Sequence, residues 1–449
     1  MTDLLADAAR RASRYVSEIG ERRVASTPAD IENLEALGGA LNDDPCDPAS
    51  VLATLDEIGS PATVASTAGR YFGFVTGGSL PAAMAANILA AAWDQNGALF
   101  IQSPVAVKLE EIAAAWLTDI FGFPATCGIG FVTGATMANF TALAAARHAL
   151  LKRAGWDVEA QGMFGAPEIR VVVGAEAHTS LLKALAMLGF GRARVIAVPA
   201  DDQGRIRADA LPPLDDHTLV CIQAGNVNSG AFDPAAEIRA KAHGAWIHVD
   251  GAFGLWAAAA PARAHLMSGF AQADSWATDC HKWLNVPYDS GLALVRDAGH
   301  LRGAMALSAA YLHMTDHREP CLYTPEASRR ARGIEVWAAL RSLGRRGLAE
   351  MIESNCRLAS RFATGLGAHE VLNDVVLNQV LVSFGDDETT RRVIREVQQE
   401  GTCWCGGTEW HGRAAMRISV SNWSTTEADV DRSLEAIRKI AARVRSGRP

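Results

Sequence analysis

Between about residues 125 and 300, short runs of β-branched and aliphatic residues alternate with alanine-rich stretches. Such alternation is typical of a mainly parallel sheet, because parallel strands need a long crossover connection, usually a helix. The helices then cover both faces of the sheet. We therefore expect a doubly wound α/β domain whose seven strands lie at 128–132, 169–173, 194–198, 219–223, 245–249, 274–278 and 291–295.

The two ends of the chain have other patterns. The first twenty residues carry a helical apolar stripe, and Thr27-Pro28 offers the cap and first-turn proline of a second helix. Beyond a basic-rich helical stretch at 329–348, the pattern indicates a strand, a helix, a strand and a helix at 375–384, 389–400, 415–420 and 426–444. We expect an N-terminal helical segment (1–60), a large domain (61–345) and a small C-terminal α+β domain (346–449).

Composition excludes several classes of protein. The 449 residues carry a net charge of −8, which argues against nucleic acid or an anionic membrane as a partner. The longest apolar stretches are shorter than the roughly 20 residues of a membrane span, and the acidic N-terminus does not resemble an export signal. The eight cysteines are scattered, so we expect reduced thiols in a cytoplasmic protein with no metal site.

Lys282 is the residue most suggestive of chemistry. The chain has only six lysines, and five of them lie in or beside amphipathic helical runs. Lys282 instead follows a strand-like segment and stands between His281 and Trp283. A partly buried amine loses its proton more easily, and a neutral amine can attack a carbonyl. Taken alone, a structural lysine at a strand end is the more common explanation of such a residue.

An aspartate about thirty residues upstream changes that balance. Asp250 ends the apolar segment Trp246-Ile247-His248-Val249, which places a carboxylate at the carboxyl end of a strand. Open α/β sheets bind their ligands at that edge. An aspartate directed at a pyridine nitrogen, with a lysine one strand later, is the arrangement that a pyridoxal phosphate enzyme needs.

His248-Val249-Asp250-Gly251-Ala252 followed by His281-Lys282-Trp283 resembles the pyridoxal-phosphate-dependent group II decarboxylases of aromatic amino acids, histidine and glutamate. The similarity extends, with gaps, from about residue 60 to about residue 440. It implies the aspartate-aminotransferase-like fold (fold type I). It also implies that Lys282 holds pyridoxal 5′-phosphate as a Schiff base, that Asp250 pairs with the pyridinium and that His281 joins the cofactor site.

Three further segments match the cofactor-binding parts of that family. Thr133-Gly134-Ala135-Thr136 follows a strand and opens a helix, so it is either an anion site or a plain connection. The resemblance favours the phosphate, with Gly134, Ala135 and Thr136 as its partners. It implies that His178 and Ala252 cover the two faces of the cofactor ring. It also places Asn228 and Asp233 near the cofactor, although such residues in loops are usually turn formers.

Substrate-facing residues are also implied by the resemblance. The glycine-rich segment 59–80 favours a loop with exposed aromatics, and the resemblance makes Tyr71 and Phe72 the lining of the side-chain pocket. Packing at a core edge is the equal alternative. Arg417 resembles an arginine that binds a substrate carboxylate, or it is a structural ion-pair partner. Tyr323 is the candidate proton donor, where phenylalanine redirects relatives toward oxidative deamination.

We therefore expect a cytoplasmic L-amino-acid decarboxylase with a slight preference for aromatic substrates. The resemblance further implies a homodimer whose active site lies at the interface. A carbon-carbon lyase of the same fold, which breaks an aldol-type bond, is the first alternative. The second is a catalytically silent regulatory relative, against which the intact Lys282, Asp250 and His178 argue.

Overall fold

The computed structural model describes residues 1–306 and 315–446. The helices are α1 Thr2–Glu18, α2 Pro28–Glu32, α3 Pro48–Thr54, α4 Ser60–Ala62, α5 Pro81–Trp93, α6 Pro104–Phe121, α7 Ala135–Arg153, α8 Val158–Gln161, α9 Thr179–Met187, α10 Ala235–Lys241, α11 Ala298–Met305, α12 Gly333–Gly365, α13 Asp387–Glu400 and α14 Glu427–Arg445. The strands are β1 Tyr71–Phe72, β2 Gly128–Val132, β3 Arg170–Gly174, β4 Ile196–Val198, β5 Thr218–Gln223, β6 Trp246–Asp250, β7 Ser275–Asp279, β8 Gly291–Val295, β9 Glu370–Val371, β10 Gln379–Ser383, β11 Trp404–Trp410 and β12 Arg413–Ser419.

The chain forms two compact units. One contains Met1–Gly78, Leu358–Leu372 and Val380–Pro449, and the other contains Ser79–Arg357 with Asn373–Gln379. The unit that includes most of the expected C-terminal domain therefore also includes the N-terminal residues. The expected domain boundaries at residues 60 and 345 stay a prediction.

The larger unit is built on the seven-stranded sheet that the sequence predicts, in the order β2-β8-β7-β6-β5-β3-β4. Strand β8 is antiparallel to both of its neighbours, β2 and β7. The pairs from β7 to β4 are parallel. Six strands start and end within about one residue of the expected positions, while β4 starts two residues later, at Ile196. The prediction of a mainly parallel sheet is confirmed.

Helix α7 lies close against this sheet because the face that it buries is made of small residues. Ala138, Ala142, Ala145 and Ala149 recur at helical spacing and are buried. They belong to one hydrophobic cluster with Val132, Ala277 and Ala293 of the neighbouring strands. The short alanine side chains let the helix backbone approach the strands, so the start of α7 reaches the carboxyl edge of the sheet.

The smaller unit has its own sheet, in the order β1-β11-β12-β10-β9. The expected segments at 375–384, 389–400, 415–420 and 426–444 correspond to β10, α13, β12 and α14. Strand β11 was not expected, because Trp404–Trp410 contains two glycines and lacks β-branched residues other than Thr408. It pairs with β12 in antiparallel orientation and with β1 in parallel orientation.

The prediction of exposed aromatics in the 59–80 segment is wrong for Tyr71 and Phe72. Both form β1, and their exposed fractions are 6% and 1%. The ring of Tyr71 stacks on Trp404 at 5.3 Å between centroids, and Phe72 meets Phe362 edge-on at 4.8 Å. Consecutive residues of a strand point to opposite faces, so the two rings are covered by different aromatic partners.

The described ranges contain no helix that combines the length and the apolar character needed to cross a bilayer.

Gly291 provides a test of how tightly the sheet packs against the turn before α7. A Cβ at residue 291 would lie 2.5 Å from the Cα and 2.7 Å from the carbonyl carbon of Gly134. Because both atoms are backbone, Gly291→Ala should lower the free energy of unfolding by about 1–3 kcal/mol. Urea denaturation measures this loss.

Gly347→Ala is the matched control, since the nearest atom to its added Cβ is Leu343 Cβ at 3.5 Å. That variant lies in α12 and should keep or slightly increase the stability. Equal stability of the two variants would contradict the packing described here.

Candidate active site

Lys282 lies three residues beyond the end of β7, in a turn that is fixed by buried neighbours. Its side chain is 15% exposed, and its Nζ lies 3.3 Å from Asp279 Oδ2. Trp283 is fully buried, and its indole N–H donates to Asn355 Oδ1 at 2.9 Å. The buried tryptophan holds the backbone of the turn, so the preceding lysine has a defined position.

Asp279 is a site residue that the sequence reasoning missed. It is the last residue of β7, and its side chain is 3% exposed. Its Oδ1 accepts a hydrogen bond from the backbone N–H of Ala135 at 2.5 Å. A signal was available in the sequence, because this carboxylate ends a strand in the same way as Asp250 and precedes the lysine by three positions.

The turn that precedes α7 brings the predicted phosphate-binding residues to this carboxylate. A Cβ at Gly134 would lie 3.2 Å from Asp279 Oδ1 and 3.3 Å from His281 Cε1, so the backbone packs directly on both side chains. Ala135 is the first residue of α7, and Thr136 is the second. The first N–H groups of a helix have no partner within the helix, and the helix dipole favours an anion there.

His281 also faces Asp279, with its Nε2 3.6 Å from Oδ2. The other ring nitrogen, Nδ1, lies 3.0 Å from the carbonyl oxygen of Ser290 and therefore donates to it. Burial lowers the pKa of His281, although the neighbouring Asp279 acts in the opposite direction. In its neutral form this ring presents an acceptor, not a proton, to Asp279.

Asp250 ends β6 and receives a chain of hydrogen bonds from the core. Asn139 Nδ2 donates to Asp250 Oδ2 at 3.3 Å, and Asn139 Oδ1 lies 2.9 Å from His248 Nε2. His248 Nδ1 lies 2.9 Å from Ser275 Oγ, to which the Trp246 indole N–H donates at 2.9 Å. These five side chains are all buried.

The direction of the chain follows from its two ends. An indole N–H can only donate, and an ionised carboxylate can only accept. The Ser275 hydroxyl therefore donates to His248 Nδ1, and the Nε2–H of the histidine donates to Asn139 Oδ1. This assignment needs a neutral imidazole, which agrees with burial lowering the pKa of His248 to about 3. This chain of hydrogen bonds orients Asp250 through neutral groups and places no cation beside it.

Ala252 links the ends of β6 and β7. Its backbone N–H donates to Asp250 Oδ1 at 3.3 Å, and its carbonyl accepts from the N–H of Asp279 at 2.9 Å. Lys282, Asp279, Ala252 and Asp250 thus belong to one continuous set of contacts at the carboxyl edge of the sheet.

His178 caps the start of α9, which follows β3. Its Nδ1 accepts from the N–H of Ser180 at 3.2 Å and also lies 2.7 Å from Ser180 Oγ. The bond from the backbone N–H puts the proton of a neutral ring on Nε2. The side chain is half-buried.

The loop after β5 is organised by side chains that bind its own backbone. Asn228 donates its N–H to Asn226 Oδ1 at 2.8 Å, as in an Asx turn. Asp233 accepts from the N–H groups of Gln223 and Ile206 at 2.6 and 2.7 Å. Burial raises the pKa of Asp233 to about 7. Both carboxylate oxygens of Asp233 are thus engaged in holding the loop to the sheet.

Tyr323 lies beside β2 rather than at the end of β7. The guanidinium of Arg318 covers its ring at 3.9 Å from the centroid. The ring packs against the hydrophobic cluster around α7, and a Cβ at Gly130 would lie 2.2 Å from the Tyr323 carbonyl oxygen. The segment is therefore packed tightly on β2.

Arg417 belongs to the smaller unit, as do Tyr71 and Phe72. It lies on β12 opposite Gly406 of β11. Burial lowers the pKa of its guanidinium. A buried guanidinium needs a compensating partner, so this position fits either of the two roles expected for it.

The larger unit fits pyridoxal phosphate. The turn at Gly134 packs closely on Asp279 and His281, and the start of α7 provides backbone N–H groups for a phosphate. A mostly buried amine and a carboxylate oriented by neutral donors lie at the ends of two adjacent parallel strands. These are the groups that a pyridoxal-phosphate enzyme needs to bind its aldehyde and its ring nitrogen.

Comparisons with known proteins agree with this class. The family model described as "Pyridoxal-dependent decarboxylase conserved domain" matches residues 46–384. Tryptophan decarboxylase 1 of Oryza sativa subsp. japonica is 28% identical over 414 residues, covering 82% of this chain and 80% of the relative. L-2,4-diaminobutyrate decarboxylase of Rhizobium meliloti (strain 1021) is 29% identical over 419 residues, covering 87% of this chain and 82% of the relative.

Solved structures show the same fold. A crystal structure of Oryza sativa TDC with PLP and tryptamine has a TM-score of 0.90 at 23% identity and covers 98% of this chain and 97% of that chain. Mouse CSAD has a TM-score of 0.90 at 22% identity and covers 98% of each chain. The prediction of fold type I is confirmed.

The matched range 46–384 spans most of the sequence, and the chain belongs to the pyridoxal-dependent decarboxylase family. It is a lyase that uses pyridoxal phosphate to decarboxylate an amino acid.

The donor chain to Asp250 predicts a specific pH dependence of stability. The folded state keeps His248 neutral down to a pKa of about 3, whereas the unfolded histidine takes up a proton below its ordinary value of 6.5. Stability is therefore lost as the pH falls below about 6.5. Between pH 6.5 and 5 the loss from this residue should be about 1.5 kcal/mol.

Urea denaturation of wild type and His248→Gln over this pH range measures the effect, because glutamine does not titrate there. Between pH 6.5 and 5, the unfolding free energy of His248→Gln should fall by about 1.5 kcal/mol less than that of the wild type. His217→Gln serves as the control, since His217 is exposed. Parallel slopes for wild type and His248→Gln would contradict the assignment of a neutral buried ring.

Proposed function

We propose that this decarboxylase acts on an aromatic L-amino acid and releases the amine and carbon dioxide. The observation that carries the proposal is the set of contacts joining Lys282, Asp279 and the start of α7, beside an oriented Asp250. Relatives named as tryptophan and aromatic-L-amino-acid decarboxylases support the aromatic preference. Other relatives are named as histidine and L-2,4-diaminobutyrate decarboxylases, so the substrate needs a direct test.

When bound, pyridoxal phosphate supplies an electron sink for the electrons left on the α-carbon after carbon dioxide departs. In our proposal Lys282 provides the amine that binds the cofactor covalently. The carboxylate of Asp250 keeps a proton on the ring nitrogen, because an opposite charge within about 4–6 Å favours the protonated ring. His178 and Ala252 would cover the two faces of the ring, as the family resemblance implies.

The remaining cofactor residues act on the phosphate and its surroundings. The first N–H groups of α7, at Ala135 and Thr136, would bind the phosphate, and Gly134 would let the backbone approach it closely. A Cβ added at Gly134 would lie 3.3 Å from His281 Cε1, so His281 borders the proposed phosphate site. Asn228 completes the cofactor surroundings from the loop after β5. The Asx turn of Asn228 is evidence for a fixed backbone there and for nothing further.

On the substrate side, we propose that Tyr71 and Phe72 line the side-chain pocket and that Arg417 binds a carboxylate. Tyr323 is the proposed proton donor to the α-carbon. We further propose a cytoplasmic homodimer with its active site at the interface. Exposed apolar residues on the N-terminal helices, among them Leu5, Val16 and Ile31, support an association of that kind.

A substrate screen tests the reaction. The purified protein with pyridoxal phosphate is given a panel of aromatic, basic, imidazole and acidic L-amino acids, and carbon dioxide, amine and aldehyde are measured for each. We expect one equivalent of carbon dioxide and one of amine, fastest for an aromatic substrate. Aldehyde without carbon dioxide would instead support the carbon-carbon lyase.

Lys282→Ala tests the covalent role. This variant should lose the yellow absorbance of the lysine-bound cofactor and lower the rate by at least about a thousandfold, because no other amine replaces the nucleophile. Lys183→Ala is the matched control, since Lys183 is an exposed lysine of α9. Turnover of Lys282→Ala at the parental rate would exclude the proposed chemistry.

Tyr323→Phe tests the proton donor. If the Tyr323 hydroxyl protonates the α-carbon, its loss should shift the product from amine toward aldehyde, ammonia and hydrogen peroxide, with oxygen consumed. The amine-to-aldehyde ratio should fall by about 10²-fold, the range for loss of a general acid. Tyr15→Phe, on α1, is the control. An unchanged ratio would assign Tyr323 to packing with Arg318.

A further inference from the structure

Asp279 occupies the place where an anion would meet the start of α7. Its Oδ1 accepts the N–H of Ala135 at 2.5 Å, and Ala135 is one of the residues assigned to the cofactor phosphate. The carboxylate is 3% exposed. A phosphate oxygen that took this N–H as its donor would displace Asp279 or share the donor with it.

The negative charge of Asp279 is balanced by Lys282. Lys282 Nζ lies 3.3 Å from Oδ2 and provides the cationic partner. His281 Nε2 is 3.6 Å away, but its ring donates through Nδ1 to Ser290, and burial favours its neutral form. The positive end of the α7 dipole adds a partial charge at Oδ1.

We propose that Asp279 is a positioning residue whose carboxylate takes the N–H donor that the cofactor phosphate would otherwise bind. Its carboxylate holds the Ala135 N–H and the Lys282 ammonium in place and so opposes the binding of the dianionic phosphate. This inference rests on the proposed role of the α7 start as the phosphate site. It concerns a residue that the sequence reasoning did not assign.

The affinity for phosphate should therefore increase when the charge of Asp279 is removed. A like charge within a few ångströms of a partly buried anion weakens its binding by about tenfold. Asp279→Asn keeps an acceptor for the Ala135 N–H and gains a donor for a phosphate oxygen. Its dissociation constants for inorganic phosphate and for pyridoxal 5′-phosphate should fall by about tenfold, while that for pyridoxal, which lacks the phosphate, should not fall.

Asp274→Asn is the matched control, because Asp274 immediately precedes β7 at its other end. Its Oδ2 accepts the N–H of Ile247 at 2.8 Å and lies 3.7 Å from Arg239. This variant removes one carboxylate charge and should leave all three dissociation constants unchanged. If Asp274→Asn and Asp279→Asn had equal effects, only the net charge of the protein would matter, and the proposal would be overturned.

A double-mutant cycle with Lys282→Ala separates the charge effect from a structural one. Without the lysine the carboxylate is unbalanced, so Asp279→Asn should tighten the binding of inorganic phosphate by more than about tenfold in that background. An equal effect in both backgrounds would contradict the pairing of Asp279 with Lys282. Since these measurements use no amino acid, a failed substrate screen leaves their result intact.

Crystal structures of the wild-type protein without and with pyridoxal phosphate provide a readout that needs no variant. We expect the Ala135 N–H to donate to Asp279 without the cofactor and to a phosphate oxygen with it. An Asp279 carboxylate that still accepts this N–H in the bound protein would overturn the inference, as would weaker phosphate binding by Asp279→Asn.

Discussion

The close approach of α7 to the carboxyl ends of β6 and β7 organises the site of the larger unit. Ala135 and Asn139 are four residues apart and therefore lie on one face of the helix. The backbone N–H of Ala135 binds Asp279, and the amide of Asn139 binds Asp250. A single turn of helix thus holds the carboxylates that end two neighbouring strands. The buried alanines of α7 allow this approach because larger side chains would move the helix away from the sheet.

The two strand-end aspartates differ in how their charge is stabilised. Asp250 is held by neutral donors, the Asn139 amide and the Ala252 N–H, with His248 neutral behind them. Asp279 has a cation, Lys282, as its partner. Among the described residues Asp250 forms no ion pair, which suits the pairing with a protonated ring nitrogen that we propose, whereas Asp279 is already paired with the amine of Lys282. The two aspartates therefore have different surroundings, although each ends a strand of the same sheet.

Much of the larger unit was predictable because its pattern is local. The β-branched runs and the alanine-rich helices specify all seven strands of the sheet, and the positions of Lys282 and Asp250 follow from where those strands end. The aromatic pair was not predictable in the same way. Tyr71 and Phe72 stand in a glycine-rich segment that looks like a loop, and their burial depends on Trp404 of β11 and Phe362 of α12, about 300 residues later in the chain. The two glycines in Trp404–Trp410 lower its strand propensity, so β11 could not be predicted from its residue types.

By itself, the sequence determined the class of fold and the family to which the chain belongs, and it singled out Lys282 and Asp250 as candidates. These features are carried by short segments whose periodicity and residue types suffice. Only the tertiary structure decided that Asp279 meets Ala135 and Lys282, and that Trp246, Ser275, His248 and Asn139 form one chain of donors to Asp250. Those contacts join residues separated by up to 144 positions, and hydrogen bonds depend on distances of a few tenths of an ångström that no local pattern records.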